Sequence, residues 1–191
     1  MRIDTSRPRR NLLVSPVPRI TGAVVTLILL LVAVTSAQSG FVISTSAFKP
    51  GGQIPAEYSC SGANRSPALT WSGAPTGVSS FALIVEDPDA PNGTFVHWVV
   101  FNLPPDATGI PADAPKTPKL GDGAMQGANG ADQVGYMGPC PPPGKVHHYH
   151  FELFALDSKL DSQSGIDASA LRAAMQGHVK ANTETVGTFE R

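Results

Sequence analysis

The clearest pattern in the chain is the alternation that runs from Lys145 to Leu156 through His147-His148-Tyr149-His150-Phe151-Glu152-Leu153. Side chains two apart share a strand face, so His147, Tyr149, Phe151 and Leu153 point one way and His148, His150 and Glu152 the other. Upstream, Phe81-Ala82-Leu83-Ile84-Val85 and Phe95 to Leu103 are continuous apolar runs, the pattern of strands buried on both faces. Only about ten residues join these two, which predicts a hairpin that brings Asp87 near His97. Shorter strands are predicted at Phe41-Val42-Ile43-Ser44, broken by Lys49-Pro50-Gly51-Gly52, and at Ala68-Leu69-Thr70-Trp71, closed by Ser72-Gly73-Ala74-Pro75. Tyr58 to Asn64 reads as loop. One helix is predicted after Asp167 as cap, with Leu171, Ala174, Met175, His178 and Val179 at helical spacing, before Glu184 to Phe189 returns to strand. Pro104 to Tyr136 has no period and predicts a long surface excursion.

Immediately before the alternating strand stands Gly138-Pro139-Cys140-Pro141-Pro142-Pro143-Gly144. Four prolines and two glycines cannot join a helix or a central strand, so this is a stiff, pre-shaped loop. It delivers an imidazole and a phenol side by side at a strand entrance, beside prolines that cannot collapse into the gap. The arrangement suggests a small preformed cavity for an oxygen-rich group.

Charge changes the picture once the first 37 residues are set apart. They hold Arg2, Arg7, Arg9, Arg10 and Arg19, an apolar run of 15 residues from Ile20 to Val34, and Thr35-Ser36-Ala37 before Gln38. This is the pattern of a secretory leader cut after Ala37, and an uncleaved N-terminal membrane anchor is the alternative. Arg9-Arg10-Asn11-Leu12-Leu13 resembles a twin-arginine export signal only weakly, because Pro16 and Pro18 separate it from the apolar run, and the export route stays open. The destination is then the periplasm, the cell envelope or the exterior. Without the leader, 9 basic and 14 acidic residues remain in residues 38–191, a net charge of −5. No basic patch survives, so nucleic acid is excluded as a partner and any anion must be gripped locally. Those 154 residues suit one domain.

The second chemical cluster is Glu86-Asp87-Pro88-Asp89-Ala90-Pro91, followed by His97-Trp98. The same residues serve as ordinary turn chemistry, and a histidine in an apolar strand is usually a core residue. A calcium loop is excluded by the spacing and by Pro88 and Pro91. A carboxylate bonded to imidazole fixes its tautomer, so Asp87 is expected to orient His97 as a donor to a bound anion. His147 and Tyr149 complete a ring of donors, and the Gly138 region is expected to offer backbone N–H groups. Such a pocket prefers anions while its histidines are protonated, so phosphate affinity should fall as pH rises through the histidine range.

Together these two regions resemble the signature regions of the phosphatidylethanolamine-binding protein family, also called Raf kinase inhibitor-like proteins. The segment from Leu171 to Arg191 is similar to that of the bacterial branch. The resemblance runs from about Phe41 to Arg191. It implies a mostly β fold, a β-sandwich with a large central antiparallel sheet and a C-terminal helix, and a small pocket for phosphate, acetate or phospholipid headgroups. The family's pocket falls here on Asp87, Asp89, His97, Gly138, Pro139, Pro141, Pro142, His147 and Tyr149. His148 stands where arginine is common, which removes a fixed positive charge.

The resulting expectation is an exported, non-enzymatic binding protein with no catalytic residue, cofactor or metal. The resemblance also allows a surface that inhibits a kinase or a serine protease. Two enzyme readings compete. His148-x-His150 with His97 could ligate a metal in a β-barrel enzyme, and a Ser-His-Asp hydrolase lacks its Gly-x-Ser-x-Gly elbow here. Finally, Cys60 and Cys140 are an even pair in loop segments of an exported chain, which predicts a disulfide between them.

Overall fold

The computed structural model describes residues 40–191; the leader expected in the first 37 residues lies outside them. Eight strands and one helix follow in order: β1 (Val42–Ser44), β2 (Leu69–Ser72), β3 (Ser80–Asp87), β4 (Phe95–Leu103), β5 (Gly109–Ile110), β6 (Met125–Gln126), β7 (His147–Leu156), α1 (Ala168–Met175) and β8 (Val179–Phe189). They form a five-stranded antiparallel sheet in the order β6-β4-β3-β7-β8 and a three-stranded sheet in the order β1-β2-β5.

The two faces of the large sheet are covered differently. On one, Leu83, Val85, Trp98, Phe151 and Leu153 pack with Ile43, Leu69, Trp71 and Ile110 of the small sheet. On the other, Ala82, Ile84, Val99 and Phe101 pack with Leu160 and with Ala168, Leu171 and Met175 of α1. Central strands covered on both faces have no polar side to alternate with, which is why β3 and β4 read as continuous apolar runs. Strand β7 keeps the expected alternation at its entrance, where His147, Tyr149 and Phe151 are buried and His148 is exposed.

The helix begins as expected, with Asp167 Oδ1 accepting the Ala170 N–H at 2.7 Å. It ends at Met175, earlier than the periodicity suggests. Gly177 adopts φ 83°, a left-handed conformation that glycine reaches at little cost, and the chain turns there. His178 and Val179 therefore lie beyond the helix, and β8 starts at Val179 instead of Glu184.

Residues 104–136 are not a simple surface excursion. They contain β5 and β6 and bury Leu120, Ala124, Gln126, Asn129 and Tyr136. Side-chain amides do the work that strand pairing does elsewhere. Gln126 accepts from Trp98 Nε1 at 2.6 Å and donates to the carbonyls of Pro115 and Thr117. Asn129 donates to the Gly135 carbonyl and accepts from the N–H groups of Ala131 and Gln133. Buried backbone satisfied by isolated amides leaves no periodic trace in sequence.

Candidate functional site

The end of β3, the start of β4, the start of β7 and the proline loop meet around a cleft of about 410 Å³. Its polar lining is Asp87, His97 and His147; the rest is Ala90, Pro91, Phe95, Met137, Gly138, Cys140, Pro141 and Pro142.

Asp87 ends the central strand with β4 on one side and β7 on the other, and it is 3% exposed. Its Oδ2 accepts from His147 Nδ1 at 2.7 Å and its Oδ1 accepts from the Asp89 N–H at 2.9 Å. The expected Asp87–His97 pair is therefore corrected: the aspartate orients His147. The reason is a β-bulge. Val85 pairs with Trp98 and Glu86 with Val96, which leaves His97 as an extra residue on β4. A bulge re-aims the side chain it carries, and here the His97 ring turns to residue 137. His97 Nδ1 donates to the Met137 carbonyl at 2.7 Å, and the Met137 N–H donates to the His97 carbonyl at 2.9 Å.

With Nδ1 taken, the ring nitrogen left to a ligand on His97 is Nε2, an acceptor in the neutral ring and a donor only when protonated. Burial lowers the His97 pKa, opposed by the Met137 carbonyl and the charge of Asp87. His97 is thus not the standing donor expected from sequence, and any gain of anion affinity through it moves to lower pH. The same shift acts on stability. An unfolded histidine, near pH 6.5, binds a proton more readily than the folded one, so stability is complete above that value and falls as pH drops through the folded pKa. Thermal melts should therefore decline between pH 7.5 and pH 5, and His97→Gln should flatten the decline. Asp89, whose pKa is lowered from 3.8 first by its hydrogen bond to His148, acts in a separate window at more acid pH.

Tyr149 lies beside the lining, its ring meeting His97 edge-on at 5.1 Å between centroids. Its buried hydroxyl reaches no partner at full hydrogen-bond geometry among the described residues; burial, then the charge of Asp87 and the approach of the hydroxyl to that carboxylate, raises its pKa. An unpaired buried hydroxyl is uncommon and calls for an explanation. A ligand oxygen reaching past His97 supplies one.

Two other expected site residues shape the cleft without lining it. Asp89 Oδ2 accepts both the backbone N–H and Nδ1 of His148, at 2.8 and 2.7 Å, and so fastens the 87–91 turn to the start of β7. The Pro139 carbonyl accepts the Cys60 N–H at 3.0 Å. Gly138 lines the cleft, but its N–H is not offered to a ligand as expected, because it donates to Asn64 Oδ1 at 2.7 Å. The glycine is required by close approach, since a Cβ there would overlap the Tyr58 carbonyl oxygen. Phe95 and Met137 line the cleft and were not singled out in the sequence; they carried no signal beyond adjacency to its two motifs.

Cys60 and Cys140 are joined, with their Cα atoms 5.4 Å apart. The residues proposed as metal ligands are sent to separate partners instead: His148 to Asp89, His150 to Glu184 and His97 to Met137. No group of three His, Cys, Asp or Glu side chains placed to hold a metal occurs among the described residues.

Comparisons with known proteins identify the family and the fold. The sequence model of the phosphatidylethanolamine-binding protein family matches residues 44–190. A UPF0098 protein of Methanothermobacter thermautotrophicus is 46% identical over 149 residues, 78% of this chain and 98% of that protein. Among solved structures, a phosphatidylethanolamine-binding protein homologue from Chlamydia trachomatis superposes with TM-score 0.74 at 38% identity, covering 80% of this chain and 99% of its own. Escherichia coli YbcL, a member of the mammalian family by its description, superposes with TM-score 0.74 at 36% identity, over 79% and 98%. With its two sheets, its single described α-helix and a family match across nearly all the described residues, this chain belongs to the phosphatidylethanolamine-binding protein family.

Proposed function

We propose that the protein is an exported, non-enzymatic binding protein whose cleft takes a small phosphate-bearing anion, of which a phospholipid headgroup is the representative. The observation that carries this reading is the pair of imidazoles at the cleft, His147 held by a buried carboxylate and His97 held by a backbone carbonyl. Each ring has its Nδ1 occupied by an acceptor and one nitrogen left over. Both oxygens of Asp87 already accept hydrogen bonds from within the protein, from His147 and from the Asp89 N–H. The Tyr149 hydroxyl supplies a further donor. The leader pattern supports export to the periplasm, the envelope or the exterior, and the binding for which the family is named is consistent with the ligand class.

Calorimetric titration with inorganic phosphate tests this. Tyr149→Phe should weaken binding by about 1.5 to 3 kcal/mol, the cost of a lost hydrogen bond to a charged group, and His97→Ala should do so below the ordinary histidine range, where its ring is protonated and Nε2 donates. Tyr149→Phe should leave folding stability unchanged or raise it, since it removes an unpaired buried hydroxyl. Methanesulfonate, constant in charge across the range, separates His97 protonation from phosphate ionisation: its affinity should rise as pH falls below the ordinary histidine range. Unchanged phosphate affinity in both variants overturns the assignment of the cleft.

A further inference from the structure

Among the described residues that line the cleft there is no lysine or arginine, and the ionisable groups on its wall are Asp87, His97 and His147. An anion entering it therefore meets no fixed positive charge inside. A fixed charge does stand against one of the lining residues. Arg191 Nη1 lies 3.6 Å from Sγ of Cys140, the residue through which the disulfide forms part of the cleft wall. The backbone of Arg191 is anchored on the same loop, its main-chain oxygen accepting the Gly144 N–H at 3.2 Å. Two residues earlier, Phe189 pairs with His147 across β8 and β7. The guanidinium is thus placed by the strand that carries one cleft imidazole and by the loop that shapes the cleft.

Its charge is also uncommitted. Arg65 is paired with Glu57, and Arg172 with Glu86 and Glu152, whereas Arg191 forms no ion pair with a described carboxylate and meets a sulfur instead. Of the other charges near the mouth, Asp89 is held by His148, and Lys145 is exposed beside Gly144 on a flexible four-carbon stem. We propose that Arg191 is the specificity-determining cation of this cleft, selecting anionic ligands from the rim. The proposal rests on the reading of the cleft as an anion site and adds the residue that sets its charge preference.

The test is calorimetric titration of the purified protein with inorganic phosphate at low and at high salt, comparing wild type with Arg191→Gln, Arg191→Lys and, as a remote surface charge, Lys180→Gln. Arg191→Gln should weaken phosphate binding about two- to fivefold, the range of one exposed charge contact. It should also reduce the salt dependence of the affinity, because an exposed charge is screened within a Debye length of about 10 Å at 0.1 M. Arg191→Lys should recover most of the loss, which a role confined to covering the disulfide would not produce. Lys180→Gln should change nothing. Thiol titration and a thermal melt of Arg191→Gln confirm that bridge and fold are intact. Equal affinity of wild type and Arg191→Gln at both salts overturns the proposal, as does an equal loss in Lys180→Gln. If wild type itself binds no phosphate, the anion reading of the cleft fails and this proposal falls with it; if wild type binds and Arg191→Gln is unaffected, only the role of Arg191 is lost.

Discussion

His147→Ala is expected to lower folding stability by about 3 to 5 kcal/mol, because removing the imidazole leaves the buried Asp87 charge uncompensated. The pair is nearly sealed: His147 is 2% and Asp87 3% exposed. Truncating the imidazole leaves the Asp87 carboxylate with the Asp89 N–H as its remaining partner, in a site walled by Phe95 and prolines. Adding Asp87→Asn to the alanine variant should recover part of the loss, because an amide carries no charge to strand. Urea denaturation of the wild type, the two single variants and the double variant completes the cycle. A single His147→Ala within 1 kcal/mol of wild type would contradict the pairing seen here.

The disulfide has a comparable expected effect. Cys60 and Cys140 close a loop across a separation of 80 residues, and chain entropy alone predicts a contribution of about 4 kcal/mol. Cys60→Ser with Cys140→Ser should therefore shift the urea midpoint strongly while the far-ultraviolet spectrum changes little, because the strands do not depend on the bridge. Local contacts remain between the same segments: Cys60 N–H to the Pro139 carbonyl and Gly138 N–H to Asn64. Phosphate binding should loosen more than secondary structure, since Cys140 is part of the cleft wall. Titration of denatured, unreduced protein should find no free thiol, and two per chain would discard the bridge.

Local patterns determined a good deal. Alternation put His147 and Tyr149 on the buried face of β7, continuous apolar runs marked β3 and β4 as central strands, Asp167 marked the start of the helix, and the loop cysteines pointed to each other. These are consequences of period, burial and backbone chemistry, which act over a few residues and are written in them. Residues with such signals are also those that carry the cleft, because a strand end and a proline loop are stiff by composition.

What the tertiary structure alone decided is who meets whom. A strand's sequence says which face a residue occupies, but not which strand lies beside it. Asp87 could face His97 across β4 or His147 across β7, and the sheet order with the bulge at His97 chose His147. The Gly138 N–H could serve a ligand, but Asn64, 74 residues earlier in the chain, claimed it. The loops of residues 104–136 are ordered by two buried amides, and Arg191 meets Cys140 because β8 runs antiparallel beside β7 to its end. Each of these is a long-range pairing whose energy depends on register and packing across the whole sheet, and no short stretch of sequence contains that information.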